Sequence, residues 1–108
     1  MGMEMDHLNC KVFADCLNTE FRVAEGGAGL ELVGVTDMVN TARQENFSLL
    51  FRGPLEAFLP QRTYAVEHER LGKIDLFLVP VGRNAKGYEY EAVFNRIRAA
   101  ERSAESAR

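Results

Sequence analysis

Long apolar runs are missing from this 108-residue chain: the largest are the size of LFLVPV and SLLF, far below the roughly 18 residues that a membrane-spanning helix needs. Concentrated positive charge is missing too. The formal net charge is −3, with 4 basic and 8 acidic side chains in residues 1–54 and 9 and 8 in residues 55–108. A single basic charge of excess in the second half cannot build the field that grips a phosphate backbone, which argues against nucleic acid, and no polybasic membrane anchor is present. The opening stretch MGMEMDHLNCKVF has neither a basic start nor a long apolar core, so it does not read as a secretory signal. Asp6 and His7 stand where a myristoylation signal would place Ser or Thr. A cytoplasmic location is expected.

Cysteine and histidine are scarce, at two residues each. Cys10 and Cys16 have five residues between them, a spacing that fits neither a redox Cys-x-x-Cys nor a zinc knuckle. On a helix they would lie on opposite sides, so two reduced thiols are expected, Cys16 as a small core residue and Cys10 half exposed. His68 stands between Glu67 and Glu69 at the end of a strand-like run. Alternation sends both carboxylates to one face and the imidazole to the other, which is poor geometry for a metal or for acid–base work. A surface or strand-end histidine titrating near the ordinary imidazole value is the expectation.

Ser48 lacks a Gly-x-Ser-x-Gly elbow and reads as an outward strand residue. EGGAG lacks the Gly-Lys-Ser/Thr ending of a phosphate loop and precedes a strand, so it reads as a hairpin turn. Glu89 and Glu91 alternate with Tyr88 and Tyr90, which places two carboxylates about 7 Å apart on one strand face. Paired carboxylates at such separations serve glycosidases, but this face is the outward one and no aromatic sugar platform accompanies it. No catalytic residue, metal ligand or cofactor is assigned, and an enzyme is not expected.

What is present is a complete core pattern. With 46% hydrophobic and 27% charged residues the composition is that of an ordinary globular protein, and a chain this long buries roughly 60–70% of its unfolded surface as one domain. Met5, Leu8, Val12 and Cys16, with Phe13 and Leu17, recur at steps of three and four, predicting an amphipathic helix over 6–17 with Asp6 as N-cap and Asn18 as stop. The period then changes. TEFRVAE, GLELVGVTD, NFSLLFRG, RTYAVEHE, KIDLFLVPVG and YEYEAVFNR are six short strand-like runs bounded by Gly, Asn, Asp or Pro.

No helix-length pattern separates them, so the fold class is mainly β (α+β): an N-terminal helix on a six-stranded antiparallel meander, barrel-like or strongly twisted. The inward sets are Phe47, Leu49 and Phe51; Tyr64 and Val66; and Tyr90, Ala92 and Phe94. KIDLFLVPVG is apolar on both faces, Ile74, Leu76 and Leu78 against Phe77, Val79 and Val81, and should be covered on both, with Pro80 marking a bulge or edge. Residues 1–95 form the domain. Residues 96–108, rich in Ala, Arg, Glu and Ser, form a polar tail, frayed or disordered.

The segments FSLLFRGP, LPQRTYAVEHERLG, DLFLVPVG and YEAVFN, in that order, resemble a family of small bacterial proteins classed as a domain of unknown function, from about Leu8 to Asn95. The resemblance implies a compact helix-plus-β domain of bacterial origin and supplies no catalytic residue.

Between the third and fourth runs lies the apolar connector PLEAFLPQ. Leu55, Phe58 and Leu59 are expected to fold back over the sheet, as a core cap or as a ligand or partner surface, and Gln61 to fix the connector through its amide. Arg83, Asn84 and Lys86, in the GRNAKG turn, complete the candidate surface. The function expected is that of a non-enzymatic interaction or accessory module with another protein as partner, monomeric or weakly dimeric. The alternative is a small-molecule-binding β-barrel, although so few strands enclose little space.

Overall fold

The computed structural model describes residues 8–97 of the chain. Helix α1 (Cys10–Ala14) is followed by strands β1 (Glu20–Val23), β2 (Gly29–Asn40), β3 (Gln44–Gly53), β4 (Arg62–His68), β5 (Gly72–Asn84) and β6 (Gly87–Ile97). All pairings are antiparallel, and the order β1-β2-β3-β6-β5-β4 returns to β1, so the single sheet closes into a ring.

The ring is uneven. Closure of β1 on β4 rests on Arg22↔Glu67 and Val23↔Val66. Strand β5 pairs with β4 over Gly72–Leu78 and with β6 over Val79–Asn84, changing neighbour next to the Pro80 bulge. Proline has no N–H to give the ladder, which is why the register breaks there.

The six antiparallel strands and the N-terminal helix agree with the sequence reading, but the sequential meander does not. After β3 the chain does not turn back as a hairpin. The connector crosses the rim to β4 on the far side, and β6 occupies the place beside β3 through an unbroken register from Gln44↔Ile97 to Gly53↔Tyr88. This register aligns Phe47 with Phe94, Leu49 with Ala92 and Phe51 with Tyr90, so the two richest inward sets share one face. β6 therefore runs to Ile97, past the expected domain limit at 95, and residues 98–108 of the tail lie outside the described residues.

Phe13, Phe21, Leu30, Leu32, Phe47, Leu49, Phe51, Val66, Leu78 and Tyr90 are fully buried in the ring. Each such side chain contributes about 1.5–3 kcal/mol of burial, which makes this cluster the main source of stability. Among the described residues nothing covers the outer face of β5 fully: Leu76 and Leu78 are buried inward, but Phe77 and Val81 are about half exposed, at 51% and 52%.

α1 is shorter than the periodicity suggests. Asn9 is extended, and its Oδ1 accepts the Val12 N–H at 2.9 Å, so Asn9 caps this helix; the expected N-cap, Asp6, lies outside the described residues. The turn continues to Asn18, whose φ of 66° ends it as predicted and whose N–H donates to the Leu32 carbonyl at 2.7 Å. A five-residue helix has no stability of its own; Phe13 holds it, 5.4 Å from the Phe94 ring and 6.0 Å from Phe47.

Candidate functional site

The connector Pro54–Gln61 leaves β3 where that strand meets the β5–β6 turn. A Cβ at Gly87 would come within 2.2 Å of the Gly53 carbonyl oxygen, so this turn sits against the end of β3 only because Gly87 has no side chain. Two tyrosine hydroxyls then fasten the connector. Tyr90, inward on β6, accepts the Leu59 N–H at 3.0 Å, and Tyr64, inward on β4, donates to the Pro60 carbonyl. Burial raises the Tyr90 phenol above its ordinary value, with the Leu59 hydrogen bond acting in the opposite direction.

Gln61 does not perform the anchoring role: it is exposed, and the tyrosines hold the connector in its place. The signal in the sequence was the set of inward tyrosines, since a buried phenol needs a partner for its hydroxyl. Leu59 packs on the core as a cap, whereas Leu55 and Phe58 point outward, Phe58 half exposed. The Phe58 ring meets Tyr88 edge-on at 5.0 Å, and the Arg83 guanidinium lies 5.7 Å from the same Tyr88 ring. At the start of β4 Arg62 lies 4.8 Å from the Tyr64 ring and pairs with Glu25.

Of the seven expected surface residues, the structure thus gathers Phe58 and Arg83 around Tyr88. Leu55 is exposed nearby along the connector and Leu59 is partly buried against the core. Asn84 serves the turn itself, accepting the Lys86 N–H at 2.8 Å and facing Glu89 at 3.4 Å. Lys86 is exposed and lines a groove with Arg52, Glu31 and Pro54.

A second constellation lies at the other end of the ring, where His68 is 5% exposed and its ring centroid is 4.4 Å from that of Phe21. Of the expected surface or strand-end histidine, the strand-end position holds and the surface one does not: the imidazole takes the inward side of β4, as alternation required, and the turn after β4 covers it. Nδ1 faces the N–H groups of Arg70 and Leu71 at 3.0 and 3.3 Å. It must therefore be the unprotonated nitrogen. Nε2 then carries the proton and donates to Thr19 Oγ1 at 2.8 Å, and that hydroxyl donates to the Cys16 carbonyl at 2.6 Å. Burial, followed by the Arg70 charge, lowers the imidazole pKa from its ordinary value, while Glu69 opposes the shift.

Near the start of α1, Glu45 is buried and accepts the Cys10 N–H at 3.1 Å, an anchor that the sequence did not suggest. Cys16 is buried and Cys10 half-buried, both with free thiols, as expected. Burial and the charges of Asp37 and Glu45 raise the Cys10 thiol pKa, which makes it a weaker nucleophile. Ser48 pairs with Thr36 and Val93 on the outward face, and Glu89 and Glu91 share that face, opposite Arg52 and Leu50.

These features define a six-stranded antiparallel ring domain with a helix over one end and a tyrosine-fastened strap over the other. The chain matches the family described as Domain of unknown function (DUF6916) over residues 8–94, and it belongs to that family. No curated protein and no solved structure matches it. Among the described residues no helix is long and apolar enough to cross a membrane.

Proposed function

We propose that the domain is a non-enzymatic interaction module that binds another protein through the strap end of the ring. One observation carries this reading: Phe58 stands half exposed against Tyr88, with Arg83 on the same ring. Exposed aromatic and arginine side chains held in fixed geometry are the residues that dominate protein–protein binding energy. Cation–π contact restrains Arg83 before any partner arrives, which lowers the entropy lost on binding.

The residues that were candidates for chemistry support the same reading. Both His68 nitrogens are committed to hydrogen bonds, and Ser48 faces Val93 and Thr36 in the ladder without a base. The small-molecule barrel has less support, because large side chains including Phe21, Phe47, Phe51 and Tyr90 fill the ring.

The test compares the immobilised protein with a Phe58→Ser/Arg83→Ala double variant, using native lysate of the source organism and mass spectrometry of what each retains. The proposal expects a protein held by the parent and lost by the variant at unchanged circular dichroism. Equal retention by both, or none by either, sinks it.

A further inference from the structure

We propose that His68 is an acid-released latch that joins the β4–β5 turn to the junction between α1 and β1. The geometry is a chain of three links. The turn residues Arg70 and Leu71 donate their N–H groups to Nδ1; the opposite nitrogen donates to Thr19; Thr19 donates to Cys16 at the end of the helical turn. The Nδ1 link requires the neutral ring with its proton on Nε2, whereas the bonds from Nε2 to Thr19 and from Thr19 to Cys16 survive protonation. A second proton can go only to Nδ1, where it would point at two N–H groups that have no acceptor to offer. Protonation therefore expels both turn amides from Nδ1 together.

The surroundings allow the ring to be reached. A cleft of about 580 Å³ lies between β1 and the β4–β5 turn, lined by Thr19, Glu20, Arg22, Glu67, His68, Glu69, Arg70 and Lys73. The charges that act on the ring are those of Arg70 and Glu69 in the turn, while Glu20 and Arg22 of β1, Glu67 of β4 and Lys73 of β5 line the cleft. Glu20 pairs with Arg22 at 3.4 Å and Glu67 lies 3.9 Å from Lys73. A transition below the ordinary imidazole value that the ring nitrogens themselves share reports the ring.

Release is local. On the far side of the latch Phe21 remains packed on Phe51 and Phe13, and the β4–β5 ladder below the turn remains paired from Arg62↔Leu78 upward. The turn at 69–71 can lift from the α1–β1 junction, widening the cleft, while the ring persists. Between the open-state imidazole value and the lower latched one, the opening constant should rise about tenfold for each unit of pH decrease.

The experiment is a pH titration of the isotopically labelled full chain by NMR, from about pH 7.5 to about pH 5, spanning the range where imidazole titrates. The His68 ring nitrogens, the Arg70 and Leu71 amides and, as an internal reference, the Phe47 and Leu49 amides of β3 are followed together. The expected result is a neutral Nε2–H tautomer at the start and a ring midpoint below 6.5. The Arg70 and Leu71 amides should share that midpoint and lose exchange protection about tenfold per unit, relative to intrinsic rates, while β3 is unchanged. A ring titrating at or above 6.5, an Nδ1–H tautomer, or turn amides that ignore the ring midpoint would each overturn the latch. His68→Phe, which keeps a ring against Phe21, should leave both turn amides unprotected at every pH; a pH response surviving in that variant would assign the sensor elsewhere. If the variant does not fold, the titration of the parent protein decides.

Discussion

The end of the ring under α1 and the end under the Pro54–Gln61 strap face the same task, covering the rim of a six-stranded sheet, and meet it with different residues. At the helix end the cover is built on an apolar ring: Phe13 is fully buried and lies within 6.3 Å of Phe21, 6.0 Å of Phe47 and 5.4 Å of Phe94. At the strap end the cover is polar and partial. Two tyrosine hydroxyls hold the backbone of Leu59 and Pro60, and the side chains of Leu55 and Phe58 are left outside. Burial of rings fixes a segment in proportion to the area removed from water; hydrogen bonds to backbone fix its path without using its side chains. The strap can therefore be ordered and still present an apolar surface.

The most severe way to break this comparison is Phe13→Ala. A phenyl ring removed from a fully buried site costs about 3–5 kcal/mol, and here it also undoes the contact that holds a five-residue helix. Urea denaturation should show that loss, with the midpoint shifted and the slope unchanged. A cost below about 1 kcal/mol, the range of volume-conserving swaps, would mean that α1 is not what closes this end.

Tyr90→Phe probes the other end at smaller scale. The ring stays and the core stays filled, but the Leu59 N–H loses its acceptor, at a cost of about 1 kcal/mol. The sharper readout is hydrogen exchange at Leu59, which should accelerate while the Phe47 and Leu49 amides do not. Unchanged exchange would show that Tyr64 alone suffices to hold the strap.

The two ends should also fail at opposite extremes of pH. His68 has a folded value below its ordinary 6.5. As pH falls, the unfolded chain takes up the proton first, so the contribution of His68 is complete above 6.5 and is lost below it until the folded value is reached. Tyr90 has a folded value above its ordinary 10. As pH rises, the unfolded chain loses the phenol proton first, so that contribution is complete below 10 and is lost above it. Thermal unfolding across the pH range should decline on both flanks, and Tyr90→Phe should flatten the alkaline flank alone. A variant that changed the acid flank instead would reverse the assignment.

How much of this was legible before the structure follows from what each feature depends on. Alternation is local, so the inward faces of β3, β4 and β6 could be read directly, and Phe47, Leu49, Phe51, Tyr64, Val66, Tyr90 and Ala92 are buried as expected. Strand order is not local. The strap has the length of a generous hairpin loop, and nothing in PLEAFLPQ distinguishes a return from a crossing; the choice was made by β6, whose Tyr90-Ala92-Phe94 face matches β3 over its whole length.

The outward face of β5 misled for a related reason. An apolar strand face predicts a cover, and Phe77 and Val81 have none among the described residues. For the candidate site, the turn and strap residues were candidates on composition, but Tyr88, which joins Phe58 to Arg83, was counted as one member of an alternating pair. Its role exists only because the crossing strap brings residue 58 back onto residue 88.

Phe58→Ser should have the smallest effect on stability and the largest on function if the strap end is built as described. Phe58 is 50% exposed and rests on Tyr88 through a single edge contact. Its truncation should move the unfolding free energy by no more than about 0.5 kcal/mol, the range of exposed positions outside the core. Phe58 is the natural control for Phe13: same residue type, opposite end, and an expected cost at least several-fold lower. If Phe58→Ser instead costs as much as a core substitution, the ring is part of the cap and the exposed surface is incidental. If stability is kept and partner retention falls, Phe58 serves binding and not folding, because its truncation then removes contact with the partner while leaving the core intact.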